Sequence, residues 1–560
     1  MKRGVTKSLA RLAVSTLWSG LSLLALQPCL AQVTPAVRLP QDTPREPQPA
    51  ARGVPLVIDR ERFAEQVPPG AEAIVFRLDG IDLIGNIAIP TERLAPLWAD
   101  LVGRDIALSA VFEIAARLSA AYRDAGYVLS QALVPQQQIE QSGARVRIRV
   151  AEGYVSRITL GEGVPGAERI LRMLEPVRAE RPLTLATLER HLLLLSDLPG
   201  VTAQASLRAA REENAAELEL VVTRVPQAFS LAAHNRTATA VGPMRIEASA
   251  ERRGALGDFD RHLLRWIGAG TSRLNLVAYN GDTPLGDRGV TLSWSASASR
   301  SRPRTGELFQ FNTRSEAVSL GAGYPVLRSR KANLALRGVL AGYDGSSDIA
   351  DGLRVSKERI RSLRLGASGD LSDALGGVNL IDLEVARGLS GLGASRRDDE
   401  ALPRAGVNPQ STKLTAYAAR LQSLGGDWSL LAAVTVQQTR DPLTSSEQFG
   451  LGGDVFLRAY DPSELLGDRG RAGKLELRYN AALAPLLATA YGYYEGGSVR
   501  LLTAGAPATR QSAAAGGIGV RVSGPRGIKG YIEIAKPIHR PTVRYGDERA
   551  RVFAGVGIDL

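Results

Sequence analysis

One side chain stands out by its setting. Arg458 lies in Leu457-Arg458-Ala459-Tyr460, inside a stretch from Glu447 to Tyr479 that carries glycines at 450, 452, 453, 467, 470 and 473. A guanidinium offers bidentate pairing with a carboxylate, and that pairing matters most where water is scarce. Other chemistry is poorly provided for. The four histidines, His191, His234, His262 and His539, are scattered and make no ligand set, so no metal site is expected. There is no glycine loop followed by Lys and Ser or Thr to hold phosphate, and no cofactor is expected. Gly345-Ser346-Ser347 and Gly496-Gly497-Ser498 lack the strand-to-helix setting of a nucleophile. Carboxylates are plentiful, but nothing sets two of them apart as an acid/base pair, so no catalytic residue is assigned and the chain reads as a non-enzyme.

The elements that must position Arg458 occupy a chain of 560 residues, too long for one ordinary domain. Residues 1–31 read as a signal peptide: Lys2, Arg3, Lys7 and Arg11 precede an apolar run from Leu12 to Leu26, and Ala31 closes the segment. The run is short for a membrane anchor. Export removes Cys29, the single cysteine, and leaves a mature chain without disulfides. The net charge of +12 is spread along the chain without a basic block, so nucleic acid is not expected as a partner; a charged lumen or lipid headgroups account for it. Residues 32–73 are rich in proline and read as a linker, with one short helix expected over 56–66.

From Phe76 the pattern becomes α+β. A strand to Gly85, a helix from Pro90 to Val102, a helix capped by Ser109 and stopped by Gly126, and strands at 127–134 and 145–151 make one unit. The order repeats with a strand at 155–160, helices at 167–174 and 184–195, and strands at 203–209 and 216–223. Beyond Pro226 helical spacing disappears. Runs of about ten residues alternate apolar and polar, as in Val290 to Ser299, and 335 residues allow about 16 strands. An open sheet would leave edges unpaired, and a soluble sandwich rarely runs so many strands, so a closed transmembrane β-barrel over 226–560 is the expected architecture.

Three strings carry a resemblance. Tyr122-Arg-Asp-Ala-Gly-Tyr127, Ala132-Leu-Val-Pro-Gln-Gln-Gln-Ile139 and Val150-Ala-Glu-Gly153 are similar to the polypeptide-transport-associated (POTRA) domain of two-partner secretion transporters, the haemolysin secretion/activation type. The resemblance implies POTRA modules at 74–152 and 153–225, lying in the periplasm and catching an unfolded secreted exoprotein by strand addition. It places the barrel in the cell outer membrane, with lipids around it and the barrel-assembly machinery as a partner during biogenesis. Leu457-Arg458-Ala459-Tyr460, with Gly452, Gly453, Gly467, Asp468 and Gly470, resembles that family's lumen loop, here 447–474. The usual tetrad is Val-Arg-Gly-Tyr, so Leu457 and Ala459 depart from it, and alanine tolerates a positive φ poorly. The resemblance also implies that Arg458 pairs with an acidic residue on an inner strand, for which Glu495, near Gly497 in Tyr493-Tyr-Glu-Gly-Gly497, is the candidate. An assembly factor of the same superfamily and a passive porin or receptor are the alternatives. The client's identity, an N-terminal plug, the oligomeric state and the effect of a terminal Leu560 in place of an aromatic are left open by the sequence.

Overall fold

The structure, a computed structural model, describes residues 46–47, 55–58, 67–140, 143–304, 311–349, 352–543 and 546–560. The signal peptide expected at 1–31 and residues 59–66 of the expected helix lie outside the described residues. The beginning of that helix is corrected: Leu56–Ile58 form a strand, β1. Branched Val57 and Ile58 favour extended backbone, and a waiting sheet edge supplies the hydrogen bonds.

The first α+β unit contains β2 (Val75–Ile84), α1 (Thr91–Leu94), β3 (Asp105–Ala107), α2 (Leu108–Asp124), β4 (Gln131–Leu133) and β5 (Ala144–Ala151), with sheet order β3-β2-β5-β4. The helix expected over Pro90–Val102 is broken into α1 and two single 3-10 turns at Ala95–Leu97 and Ala99–Leu101. Pro96 cannot donate to a continuing helix. Ser109 is not a cap, because β3 runs straight into α2 and extended Ala107 takes the capping position without a side-chain bond. The strand expected at 127–134 shrinks to β4, since Gly126 turns at φ 94° and the Tyr127 amide folds back onto the Tyr122 carbonyl at 2.9 Å. Tyr122 is fully buried and its hydroxyl donates to Glu152 at 2.9 Å. Gly153 admits no side chain, because a Cβ there would lie 2.3 Å from the Leu129 carbonyl oxygen.

The second unit contains β6 (Tyr154–Leu160), α3 (Ala167–Ala179), α4 (Leu185–Ser196), β7 (Val201–Ala209) and β8 (Ala215–Arg224). Its sheet runs β1-β7-β8-β6, so β1 is an addition from outside the unit. Thr184 caps α4 by accepting from the Thr187 amide, and Leu188, Leu192, Leu193, Leu194 and Leu195 enter the core.

Sixteen antiparallel strands follow and close into a barrel. They are β9 (Gln227–His234), β10 (Arg245–Arg253), β11 (Arg261–Ala269), β12 (Leu274–Leu285), β13 (Val290–Ser301), β14 (Phe311–Arg328), β15 (Ala332–Ile349) and β16 (Leu353–Ser372), then β17 (Gly377–Gly388), β18 (Thr412–Gly425) and β19 (Trp428–Thr439). After a two-stranded hairpin of β20 (Phe449–Leu451) and β21 (Leu465–Gly467) come β22 (Arg469–Leu483), β23 (Leu486–Thr503), β24 (Ala506–Ser523), β25 (Ile528–Pro537) and β26 (Arg551–Asp559). The seam joins β26 to β9, and Leu560 extends it by exchanging both backbone hydrogen bonds with Phe229, at 2.8 and 2.9 Å. Alternation sorts the two faces: Leu475, Leu477 and Tyr479 are 54%, 42% and 39% exposed on the outside, whereas Glu476 between them is fully buried on the inside.

The second unit is clamped to the barrel. Arg169 donates to the carbonyls of Pro284 and Gly286 at 2.8 and 2.7 Å, and Arg328 binds Asp197 through two bonds of 2.8 and 2.7 Å. Phe259, from the β10–β11 turn, is part of this unit's core and lies against Gly166. His191 sits between α3 and α4, with Nδ1 2.7 Å from the Met173 carbonyl, and burial holds its pKa below the ordinary histidine range. The unfolded chain therefore takes up a proton before the folded unit does, so stability is present above about pH 6.5 and declines as pH falls below it. Urea unfolding of the intact protein, followed by the helical circular-dichroism signal, is expected to show a lower midpoint at about pH 5.5 than at about pH 7.5. His191→Gln removes that part of the slope.

Candidate functional site

Loop 452–464 is carried into the barrel by the β20–β21 hairpin, and strand β22 already begins at Arg469, so the loop expected to run to 474 ends earlier. Gly470 and Gly497 are therefore wall residues of β22 and β23. Their missing side chains make room for Phe449 and Leu451 of the hairpin. Gly467 ends β21 against β23, and Asp468 beside it is fully buried, accepting from the amides of Leu443 and Leu502 at 2.8 and 2.7 Å and from Arg404. Gly452, at φ 113°, has no space for a Cβ, which would lie 2.0 Å from the Asp461 carbonyl oxygen; Gly453 follows at φ 98° and donates to the Tyr460 carbonyl at 3.1 Å. These turns bring residues 457–460 against the lumen wall, and all four are at most 4% exposed.

Arg458 is held from several sides. Its Nε lies 2.8 Å from Glu495 Oε1, and the amides of Leu457 and Arg458 donate to the same carboxylate at 2.7 and 3.3 Å. Nη1 lies 2.7 Å from Glu476 and 3.6 Å from Glu533, and the guanidinium carbon stacks 3.5 Å above the Tyr493 ring. Glu533 is shared further: Tyr491 and Tyr493 donate to it at 2.8 and 2.9 Å, and Arg236 at 2.6 Å. Arg236 also donates to the Arg458 carbonyl at 2.9 Å, and Arg551 to the Ala459 carbonyl at 3.2 Å. Tyr460 reaches the Arg540 carbonyl at 2.6 Å. The backbone with positive φ is at Leu457, φ 60°, while Ala459 is not among the residues of positive φ. The concern raised by alanine at 459 thus moves two residues back, to a leucine held in a left-handed conformation by both Glu495 bonds.

The outer rim of this cluster reaches the N-terminal part of the chain. Arg478 and Arg521 flank Glu476 at 2.8 and 3.0 Å. Glu46 then bridges Lys474 and Arg478 at 2.9 and 2.8 Å. Glu46, Arg236, Glu476, Arg521 and Glu533 were not singled out by sequence. A signal was present for two of them, since Glu476 and Glu533 each sit between apolar neighbours in an alternating run, as in Ile532-Glu533-Ile534. Such a position turns a carboxylate inward while its neighbours face lipid.

The geometry defines a barrel with a lipid-facing exterior, a charged lumen and docked periplasmic α+β units, that is, an outer-membrane transporter of the POTRA-barrel class. Residues 262–522 match the model of the haemolysin secretion/activation protein family ShlB/FhaC/HecB, and residues 76–153 match the ShlB-type POTRA domain. The chain belongs to this family, whose members work in two-partner secretion across the outer membrane. It is 22% identical over 404 residues to the heme/hemopexin transporter protein HuxB of Haemophilus influenzae strain 86-028NP, covering 70% of each chain. It is 23% identical to the outer membrane transporter CdiB of Dickeya dadantii, over 65% of each chain. Among solved structures, CdiB from Escherichia coli superposes with a TM-score of 0.71 at 18% identity, covering 91% of this chain and 94% of that one. BamA from Haemophilus ducreyi lacking POTRA domains 1–3 gives 0.50 at 12% identity, over 87% and 100%.

Because Arg458 addresses carboxylates in different directions through Nε and Nη1, a lysine cannot replace it. An Ala459→Cys reporter is expected to be shielded from maleimide in the otherwise native protein and to react at least about tenfold faster once Arg458→Lys is added, since breaking a buried pair costs about 3–5 kcal/mol. Unchanged shielding would show that the loop is anchored elsewhere.

Proposed function

We propose that residues 74–152 and 153–225 act as two POTRA modules that take up an unfolded, exported exoprotein by strand addition, and that the barrel of residues 226–560 passes it outward. The observation that carries this reading is the buried attachment of loop residues 457–460 to the wall strands β22, β23 and β25, beside a second module clamped to the periplasmic turns. In this reading Arg458 and Glu495 hold the loop in its working position, and Tyr460, Asp468 and the loop glycines shape its path. The process needs no catalytic residue and no nucleotide; the client's folding outside draws it forward.

Arg458→Ala leaves Glu476, Glu495 and Glu533 without their shared cation. We expect secretion of a co-expressed exoprotein partner to fall by about tenfold or more, in keeping with the cost of about 3–5 kcal/mol for breaking a buried pair by removing one partner. The amount of heat-modifiable barrel in the outer membrane should stay as in the native strain. Normal secretion by this variant would remove the role given to Arg458. The likeness to BamA favours a second reading, an assembly factor for other barrels. Crosslinks from the modules to nascent barrel proteins, in place of the exoprotein, would select it.

A further inference from the structure

β7 is nine residues long, yet on the side away from β8 only Ala205, Ser206 and Leu207 are paired, with Leu56, Val57 and Ile58 of β1. The Ala205 amide also donates to the Pro55 carbonyl at 2.9 Å. No other strand pairs with that edge among the described residues. The contact is parallel, whereas β7 and β8 pair antiparallel along the whole of β7. A parallel ladder of three residues is weaker than an antiparallel one of full length. Among the described residues β1 leaves the rest of this edge without a paired strand, and Thr202, Gln204 and Arg208 are exposed on the face of β7 beside it. A strand edge presents a row of amides and carbonyls with little regard for side-chain identity, and β1 demonstrates that this edge accepts an extended segment.

The same N-terminal segment is also held in the lumen. Glu46, ten residues before Leu56, bridges Lys474 and Arg478, and Arg478 binds Glu476, the carboxylate that Arg458 Nη1 contacts at 2.7 Å. With Glu46 seated, five cationic side chains (Arg236, Arg458, Lys474, Arg478, Arg521) face five carboxylates (Glu46, Asp454, Glu476, Glu495, Glu533). Removing Glu46 leaves an excess positive charge in a poorly hydrated wall. One stretch of chain thus touches both the edge that can receive a strand and the cluster that anchors the lumen loop.

We propose that the β7 edge is a strand-exchange site: β1 holds it in the resting protein, and an extended segment of the exported partner replaces β1, pairing along more of the nine residues. Release of β1 frees the segment that carries Glu46, so arrival of the partner is signalled to the loop cluster. This inference rests on the transport reading above.

The test is a reversible lock. Val57 and Ser206 are directly opposed in the register, and Val57→Cys with Ser206→Cys ties β1 to β7 by a disulfide in the full-length protein. Secretion of a co-expressed exoprotein partner is expected to fall by about tenfold in the oxidised double variant and to return on reduction, while both single variants secrete normally. Equal secretion by the oxidised and reduced forms overturns strand exchange. Absence of secretion from the native protein overturns the transport reading, and the exchange with it. In a second arm, Val57→Pro removes a ladder donor from β1. A photo-crosslinking residue at Gln204 is then expected to capture the exoprotein at least about threefold more than with native β1. Unchanged capture overturns the claim that β1 competes for this edge.

Discussion

A guanidinium removed from water is costly unless carboxylates meet it, and the lumen is built around that requirement. Arg458 sits on a loop that enters from the β20–β21 hairpin, but everything that stabilises its charge comes from the wall: Glu476 on β22, Glu495 on β23 and Glu533 on β25. Those carboxylates in turn need partners, and Arg236, Arg478, Arg521 and two tyrosines supply them. Hence the loop is placed by a network, and no single pair in it can be judged alone. The Leu457 backbone, at φ 60°, is acceptable because its amide and that of Arg458 both end on Glu495.

The barrel and the second module share this economy of contact. Arg169 on α3 and Arg190 on α4 donate to carbonyls near the ends of barrel strands, Pro284 in β12 and Pro325 in β14, and Phe259 crosses from a barrel turn into the module's core. A module fixed so firmly presents β7 in a constant relation to the barrel. Its sheet edge is then the adaptable part, and β1 is its weakest strand by length and by direction.

Much of this was legible beforehand. Two-residue alternation named the barrel, since any one-residue slip would turn apolar side chains into the lumen, and the length of 335 residues set its approximate strand number. The helix stopped by Gly126 was legible too, and its buried face from Val111 to Tyr122 follows helical spacing because burial there is decided within one element. Arg458 and Glu495 were visible through local strings. Boundaries were less legible where two elements compete for the same residues: Pro96 divides an expected helix, and β3 takes over the cap position assigned to Ser109.

What the amino-acid order determined by itself was the periodicity of each element, the sidedness of each strand and the glycines that let loop 452–464 turn. Those are properties of near neighbours in the chain. Only the tertiary structure decided that Glu476 and Glu533 join Glu495 around one arginine, that the positive φ falls on Leu457 and not Ala459, and that Leu56–Ile58 add to β7 instead of starting a helix. The physical reason is the same in each case. Charge pairing and edge pairing depend on which distant strands closure of the barrel and docking of the modules bring together, and such contacts span tens to hundreds of residues that no local pattern encodes.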